Sequence, residues 1–252
     1  MTVSVVIPTL NEERYLPFVL ESIRSSRFTI LQKHQIEVII ADAKSTDNTV
    51  EIASQYGVKV IDGGIPSVGR NKGASISNGE IMIFLDADVI FSDSFLENCI
   101  LELINRKLDV AGAYFSVTRG SMQYIFFVLL NNIAKFVRQF TPYPVVHGDF
   151  IICRKEVFEN LGGFDEKMFF GEDNDFVLRS VKSKFKYRVL KQSYITSERR
   201  IQKIGIWGIT KTFLIFTFEM LRANIKNLEV QERLRKVYGE NLQSKHRYTN
   251  PK

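Results

Sequence analysis

Cysteine is scarce in this 252-residue chain: Cys99 and Cys153 are the only two, far apart and set among apolar residues. That excludes a disulfide framework and a thiolate metal site, and both are expected to be reduced core residues. No Gly-x-Gly-x-x-Gly follows the first strand-like segment, which argues against a nicotinamide enzyme. No Gly-x-x-x-x-Gly-Lys-Ser/Thr occurs either, which argues against a P-loop nucleotidase. The amino terminus, Met1-Thr2-Val3-Ser4-Val5-Val6-Ile7-Pro8, has no basic segment ahead of a long apolar stretch. It therefore reads as a strand, not a signal peptide, and a cytoplasmic protein is expected. No apolar run reaches the ~20 residues of a spanning helix, so an integral membrane anchor is not expected.

What is present suits one large α/β domain with a small appendage, since 45% hydrophobic content can bury a sizeable core. Residues 3–7, 37–41 and 81–85 read as buried strands, the first closed by Pro8, and residues 58–61 as a further strand. Helical patterns separate them, the first opened by Asn11 as N-cap. This alternation predicts a doubly wound, mostly parallel sheet whose carboxyl-end loops form the ligand crevice. The pattern then loosens into a helix at 93–106, a strand at 110–117 and an apolar helix at 121–140. A strand at 150–153, a short helix at 154–161 and a tight turn at Gly162-Gly163-Phe164-Asp165 follow.

Acid is concentrated at two places. The run Ile81-Met82-Ile83-Phe84-Leu85 ends in Asp86-Ala87-Asp88. Carboxylates where a buried strand leaves its sheet suit a divalent cation that keeps sites open for phosphate oxygens; the alternative is a turn and a helix cap. The second place is Phe169-Phe170-Gly171-Glu172-Asp173-Asn174-Asp175. Asp175 is read as complementing a helix dipole, whereas a carboxylate beside aromatic walls is a reasonable general base.

Five motifs in order resemble glycosyltransferase family 2, inverting transferases with a GT-A fold. They are Val5-Val6-Ile7-Pro8-Thr9-Leu10-Asn11-Glu12, Asp42-Ala43-Lys44-Ser45-Thr46-Asp47-Asn48-Thr49, Gly69-Arg70-Asn71-Lys72-Gly73, Asp86-Ala87-Asp88, and Gly162-Gly163-Phe164-Asp165 with Gly171-Glu172-Asp173. The resemblance implies a GT-A domain over residues 1–202, with a nucleotide-sugar-binding half (1–118) and an acceptor half (119–202). A basic helical carboxyl-terminal extension (203–252) follows. It also implies that Pro8, Thr9, Asn11 and Glu12 line the nucleotide pocket, with Asp42 on the base and Asp47 shaping its loop. Lys44 and Arg70 would meet phosphate or donor sugar. Asp86, Ala87 and Asp88 would meet the ribose and diphosphate, Asp88 and Asp86 holding Mg²⁺ or Mn²⁺. By the same implication Asp173 deprotonates the acceptor, Glu172 orients it, and His147, Gly148 and Phe170 lie on its side. One of Arg199 and Arg200 would close over the diphosphate. Glycines common after the family's aspartate are replaced by Ala43-Lys44-Ser45.

Charge is uneven. Residues 1–181 carry 17 basic and 23 acidic side chains, and residues 182–252 carry 17 and 5. Residues 124–140 and 204–225 are apolar, with basic flanks on the second. On a helix, Lys211, Glu219, Arg222 and Lys226 would share a narrow polar arc. That fits either a helix lying on an anionic membrane surface or packing onto the core or across a homodimer interface. The expected partners are a nucleotide-diphosphate sugar and a glycan or lipid-linked acceptor, and not nucleic acid. The alternatives are a sugar nucleotidyltransferase, disfavoured because Pro8-Thr9-Leu10-Asn11-Glu12-Glu13 is no phosphate loop, and a non-catalytic nucleotide-sugar-binding scaffold.

Overall fold

The structure, a computed structural model, describes residues 1–28, 35–117, 122–196, 199–221 and 226–239. The first part is β1 (Thr2–Thr9), α1 (Leu16–Arg24), β2 (Gln35–Asp42), α2 (Thr49–Gln55), β3 (Lys59–Asp62), α3 (Pro66–Ser75) and β4 (Ile81–Leu85). These strands pair in parallel in the order β3-β2-β1-β4, as the alternation of patterns predicts. Successive β4 side chains serve opposite faces. Ile81, Ile83 and Leu85 join the larger core with Val3, Val5 and Ile7, whereas Met82 and Phe84 join Val6 in the core on the other side.

The chain continues through β5 (Val89–Ile90), α4 (Phe95–Asn105), β6 (Val110–Ser116), α5 (Met122–Arg138), β7 (Phe150–Arg154), α6 (Lys155–Asn160), α7 (Glu172–Lys182), β8 (Tyr187–Thr196), α8 (Arg199–Leu221) and α9 (Leu228–Gly239). The sheet extends from β4 as β7-β6-β8-β5. Strand β7 is antiparallel to both β4 and β6, and it joins the parallel half to the rest. The reversal matters for the site: Leu85 faces Phe150, and Asp86 N–H extends the ladder to the Asp149 carbonyl at 3.0 Å. Residues 147–149 are thereby delivered beside the acidic end of β4.

Four details differ from the sequence reading. Strand β1 runs through Pro8, because β4 pairing ends at Val6 and the missing N–H faces no ladder partner there. Asn11 is not an N-cap: its φ is +54° and α1 begins only at Leu16, after Tyr15. The two-residue β5, too short to carry a pattern, pairs with β8 at Val89–Thr196. Of the polar arc expected on the 204–225 helix, Lys211 is exposed, Glu219 is buried, Lys226 lies beyond Leu221 and pairs with Asp165, and Arg222 lies outside the described residues. Helix α8 also breaks at Gly205, whose φ is +68°. Cys99 and Cys153 are buried and free, as expected.

Candidate active site

The loops after β1 and β2 hold each other. Asn11 N–H donates to Ser45 Oγ at 2.8 Å, and Asn11 Oδ1 accepts from Thr46 N–H at 2.7 Å. Asp42, buried, accepts from Thr9 Oγ1, Ser45 N–H and Ser45 Oγ at 2.9, 2.8 and 2.6 Å. Glu12 N–H donates to Thr49 Oγ1 at 2.8 Å. Asp47 accepts from the Thr49 backbone and hydroxyl and from Glu13 N–H. Burial alone would raise its pKa, but these bonds together lower it. Lys44 is exposed with φ +63°, so the position where family members favour glycine does take a left-handed backbone here. Bonds from Ser45 to Asp42 hold it there.

The centre of the site is Arg70. Helix α3 packs on β1 and β2 and carries this guanidinium, 2% exposed, into the domain. Nη1 donates to Glu172 Oε1 at 2.6 Å, and Nη2 donates to Asp86 Oδ1 at 2.9 Å and to the Gly148 carbonyl at 3.2 Å. The side chain also lies over the Phe164 ring at 5.4 Å. Burial opposes its charge, but Asp86, Glu172 and Asp173 together hold its pKa above the ordinary value. Arg70, expected to meet phosphate or donor sugar, is thus already committed to two carboxylates and a carbonyl, and its geometry is that of a tie between the ends of β4, β7 and α7.

Asp173 stands at the amino end of α7. A Cβ on Gly148 would come within 3.2 Å of both Asp173 Oδ2 and Arg70 Nη2, so the three residues converge on one backbone point. Asp173 keeps some exposed surface, yet its carboxyl is enclosed as an interior group is. Burial first, and the neighbouring Glu172 charge second, push its pKa up to about 7, against the pull of Arg70 and of bonds from Asn174. A carboxyl poised near neutrality is suited to proton transfer. Asp86, Asp88, Asp149 and Asp173 gather at the same end of the sheet. After burial, all four of their charges push the Tyr194 phenol upward.

Asp86 and Asp88, both half-buried on the turn after β4, offer hard oxygen donors suited to Mg²⁺ or Mn²⁺. Among the described residues no three acidic, histidine or cysteine side chains form a metal cluster. Water and phosphate oxygens would have to complete the coordination, which is the usual habit of Mg²⁺ beside phosphates.

The carboxyl-terminal helices build the other wall. Gly171 has φ +81°, and a Cβ there would fall 2.3 Å from the Phe216 ring of α8. Phe170 packs edge-on to the same ring at 5.3 Å. Gln231 of α9 accepts from Phe169 and Phe170 N–H at 3.0 and 3.1 Å and donates to the Phe170 carbonyl at 3.1 Å. Lys226 pairs with Asp165 at 2.9 Å and with Asp175 at 3.0 Å, and Arg179 also pairs with Asp175. Asp175 thus serves two cations as well as the helix dipole.

Pro8, Thr9 and Asp42, at the ends of β1 and β2, and Asn11, Glu12, Lys44 and Asp47, on the loops that follow, therefore lie in one bonded neighbourhood. Asp86, Gly148, Glu172 and Asp173 gather about the buried Arg70, with Ala87 buried and Asp88 half-buried beside them. His147 packs edge-to-face between Phe115 (4.7 Å) and Phe213 of α8 (5.4 Å), an aromatic position next to Gly148. The side chains of Arg199 and Arg200 lie outside the described residues. Gln231, Phe216 and Lys226 escaped the motif reading because they follow the last motif by more than forty positions. Lys135 escaped it inside an apolar run; it is 2% exposed, donates to the Ala113 carbonyl at 2.9 Å, and burial lowers its pKa to about 7.

Residues 4–162 match the family model described as glycosyl transferase family 2. Over 115 residues, 42% of the chain, it is 33% identical to 4,4'-diaponeurosporenoate glycosyltransferase of Staphylococcus haemolyticus, but it spans only 29% of that protein. It is 27% identical to glycosyltransferase AglE of Haloferax volcanii over 199 residues, 71% of the chain and 60% of the relative. Among solved structures, mannosyltransferase PcManGT from Pyrobaculum calidifontis, in complex with GDP-Man and Mn²⁺, matches with TM-score 0.68 at 18% identity. The match covers 96% of this chain and 74% of that one. TarS 1-349 of S. aureus in complex with UDP-GlcNAc matches with TM-score 0.61 at 20% identity, over 96% and 72%. The fold is that of the GT-A glycosyltransferases.

Proposed function

Because the chain belongs to glycosyl transferase family 2, we propose that it moves a sugar, with inversion, from a nucleotide-diphosphate sugar to a hydroxyl or lipid-phosphate acceptor. The observation that carries this reading is the buried Arg70, which ties Asp86 on the donor side to Glu172 on the acceptor side and leaves Asp173 beside both. Asp42 and the loops it braces receive the base and ribose. Asp86 and Asp88 would hold Mg²⁺ or Mn²⁺, which when bound would neutralise charge on the departing diphosphate.

Asp173 is the base. It takes the acceptor proton as the acceptor oxygen bonds to the anomeric carbon. The bond from that carbon to the diphosphate breaks, and its electron pair leaves with the nucleoside diphosphate. Base and leaving group lie on opposite sides of the sugar, so one displacement inverts the centre without a covalent intermediate. Glu172, held by Arg70, fixes the start of α7 and so the aim of Asp173.

Calorimetric titration with UDP, GDP, dTDP and their sugar conjugates, with and without Mn²⁺, tests the reading. Metal-dependent binding of one nucleotide class, lost in Asp88→Asn, is expected. No binding of any of them to folded protein would overturn it.

A further inference from the structure

One surface of the molecule is apolar where solvent is expected. On α5, Ile125, Phe126, Leu129, Leu130, Ile133 and Phe136 are each 46–59% exposed, and the helix contains no acidic residue. Helix α8 turns Trp207, Leu214 and Phe218 outward, Trp207 82% exposed, with Lys211 in the same stripe. Phe127 of α5 packs against Phe213 of α8 at 6.0 Å, so the two helices are neighbours. An apolar surface of this extent marks an interaction site.

The groups bordering it are cationic. Arg188 lies 5.2 Å from the ring of exposed Phe140 at the end of α5, and Arg138 reaches from α5 to the Tyr143 carbonyl at 2.8 Å. Glu219, the one acid in α8, is buried. A second copy of the chain would bring the same apolar, cation-edged face, on which the described residues of α5 and α8 expose no acid, whereas anionic headgroups answer it directly. No helix among the described residues is long and apolar enough to cross a membrane, so contact in the interface plane is the geometry that fits.

We propose that the α5–α8 face docks on an anionic lipid bilayer and that the acceptor is drawn from that bilayer, an inference that rests on the transferase reading. The face adjoins the site: Phe213 packs edge-to-face with His147, and the next residue, Gly148, is the point where Asp173 and Arg70 converge. An acceptor anchored at α5 and α8 would present its head group one layer of rings from the base.

The test is co-sedimentation of the full chain with phosphatidylglycerol and phosphatidylcholine vesicles, with UDP and GDP titration run in parallel. The chain should pellet with phosphatidylglycerol at low salt and be released by high salt. Leu129→Ser with Phe136→Ser, both exposed and outside the site, should weaken partitioning by about tenfold or more while leaving nucleotide binding unchanged. Lys211→Glu should weaken binding to phosphatidylglycerol alone. Failure of the folded protein to pellet, equal pelleting with neutral vesicles, or a soluble dimer that Leu129→Ser dissociates would each overturn the docking proposal. If vesicles bind but no nucleotide does, the transferase reading falls instead.

Discussion

The loops proposed to take the donor and the wall proposed to face the acceptor are built on different principles. Around Asp42, the bonds run between two loops at the ends of paired neighbouring strands, with hydroxyls and backbone N–H groups meeting each acid within the loop pair. Around Asp173, the ties span the chain: Arg70 to Glu172 is 102 positions, and Gln231 to Phe169 is 62. The first region is self-bracing and the second is assembled from a distance. A fault far from the chemistry should therefore damage transfer while sparing donor binding.

Removing the cation at the centre of the second region should have the largest effect. Arg70→Met leaves Asp86 and Glu172 without their shared cation, at an expected cost of about 3–5 kcal/mol. Denaturant unfolding would measure it; a loss below ~1 kcal/mol would mean the tie contributes little net stability. Arg70→Lys should recover little, since one ammonium cannot reproduce a fork serving three acceptors.

Asp173→Asn sharpens the contrast by pH. Its pKa is raised in the folded protein, from an ordinary 3.8 to about 7. The folded state therefore holds the proton more tightly, and this contribution to stability is full below the ordinary value and is lost as pH rises through about 7. Wild-type stability should fall relative to Asp173→Asn across that window, and parallel pH profiles would contradict the burial of the carboxyl. Where the base must be ionised, donor turnover should rise over the same window.

A smaller effect is expected at Gln231. Gln231→Leu strands the Phe169 and Phe170 N–H groups, costing about 1–3 kcal/mol. Through Gly171 it should slow transfer by roughly tenfold to a hundredfold, since small misplacements of a base are costly. Nucleotide affinity should not change, and Gln231→Glu, which keeps the accepting oxygens, should restore part of the rate. If affinity fell in step with rate, the two regions would not be separable.

The smallest effect is expected in the self-bracing region. Lys44→Gly relieves a left-handed backbone worth roughly 1–2 kcal/mol and loses roughly 0.5–1 kcal/mol in chain entropy, so melting should shift slightly upward or stay level.

The same contrast explains what could be read from sequence. The parallel strands were legible because burial on both faces leaves uninterrupted apolar runs, as at residues 81–85. The donor acids were legible because such runs end in them. The loop after β1 was misread at Asn11, whose side chain and N–H serve Ser45 and Thr46 across the crevice and not its own helix. The tie from Arg70 to Glu172 could not be read, because no periodicity links α3 to α7. Gln231 and Phe216 carry no motif at all; their meaning lies in the backbone of residues 169–171, which only the fold brings to them.

The most direct measurement of the central claim sets Asp173→Asn beside Asp88→Asn. Donor affinity would be read by calorimetry with Mn²⁺, and release of nucleoside diphosphate from the bound sugar donor would be followed in a single turnover. The account predicts that Asp173→Asn binds the donor as wild type does while release falls by about a hundredfold or more, and that Asp88→Asn loses donor binding. Loss of donor affinity in both variants, with folding preserved, would contradict it.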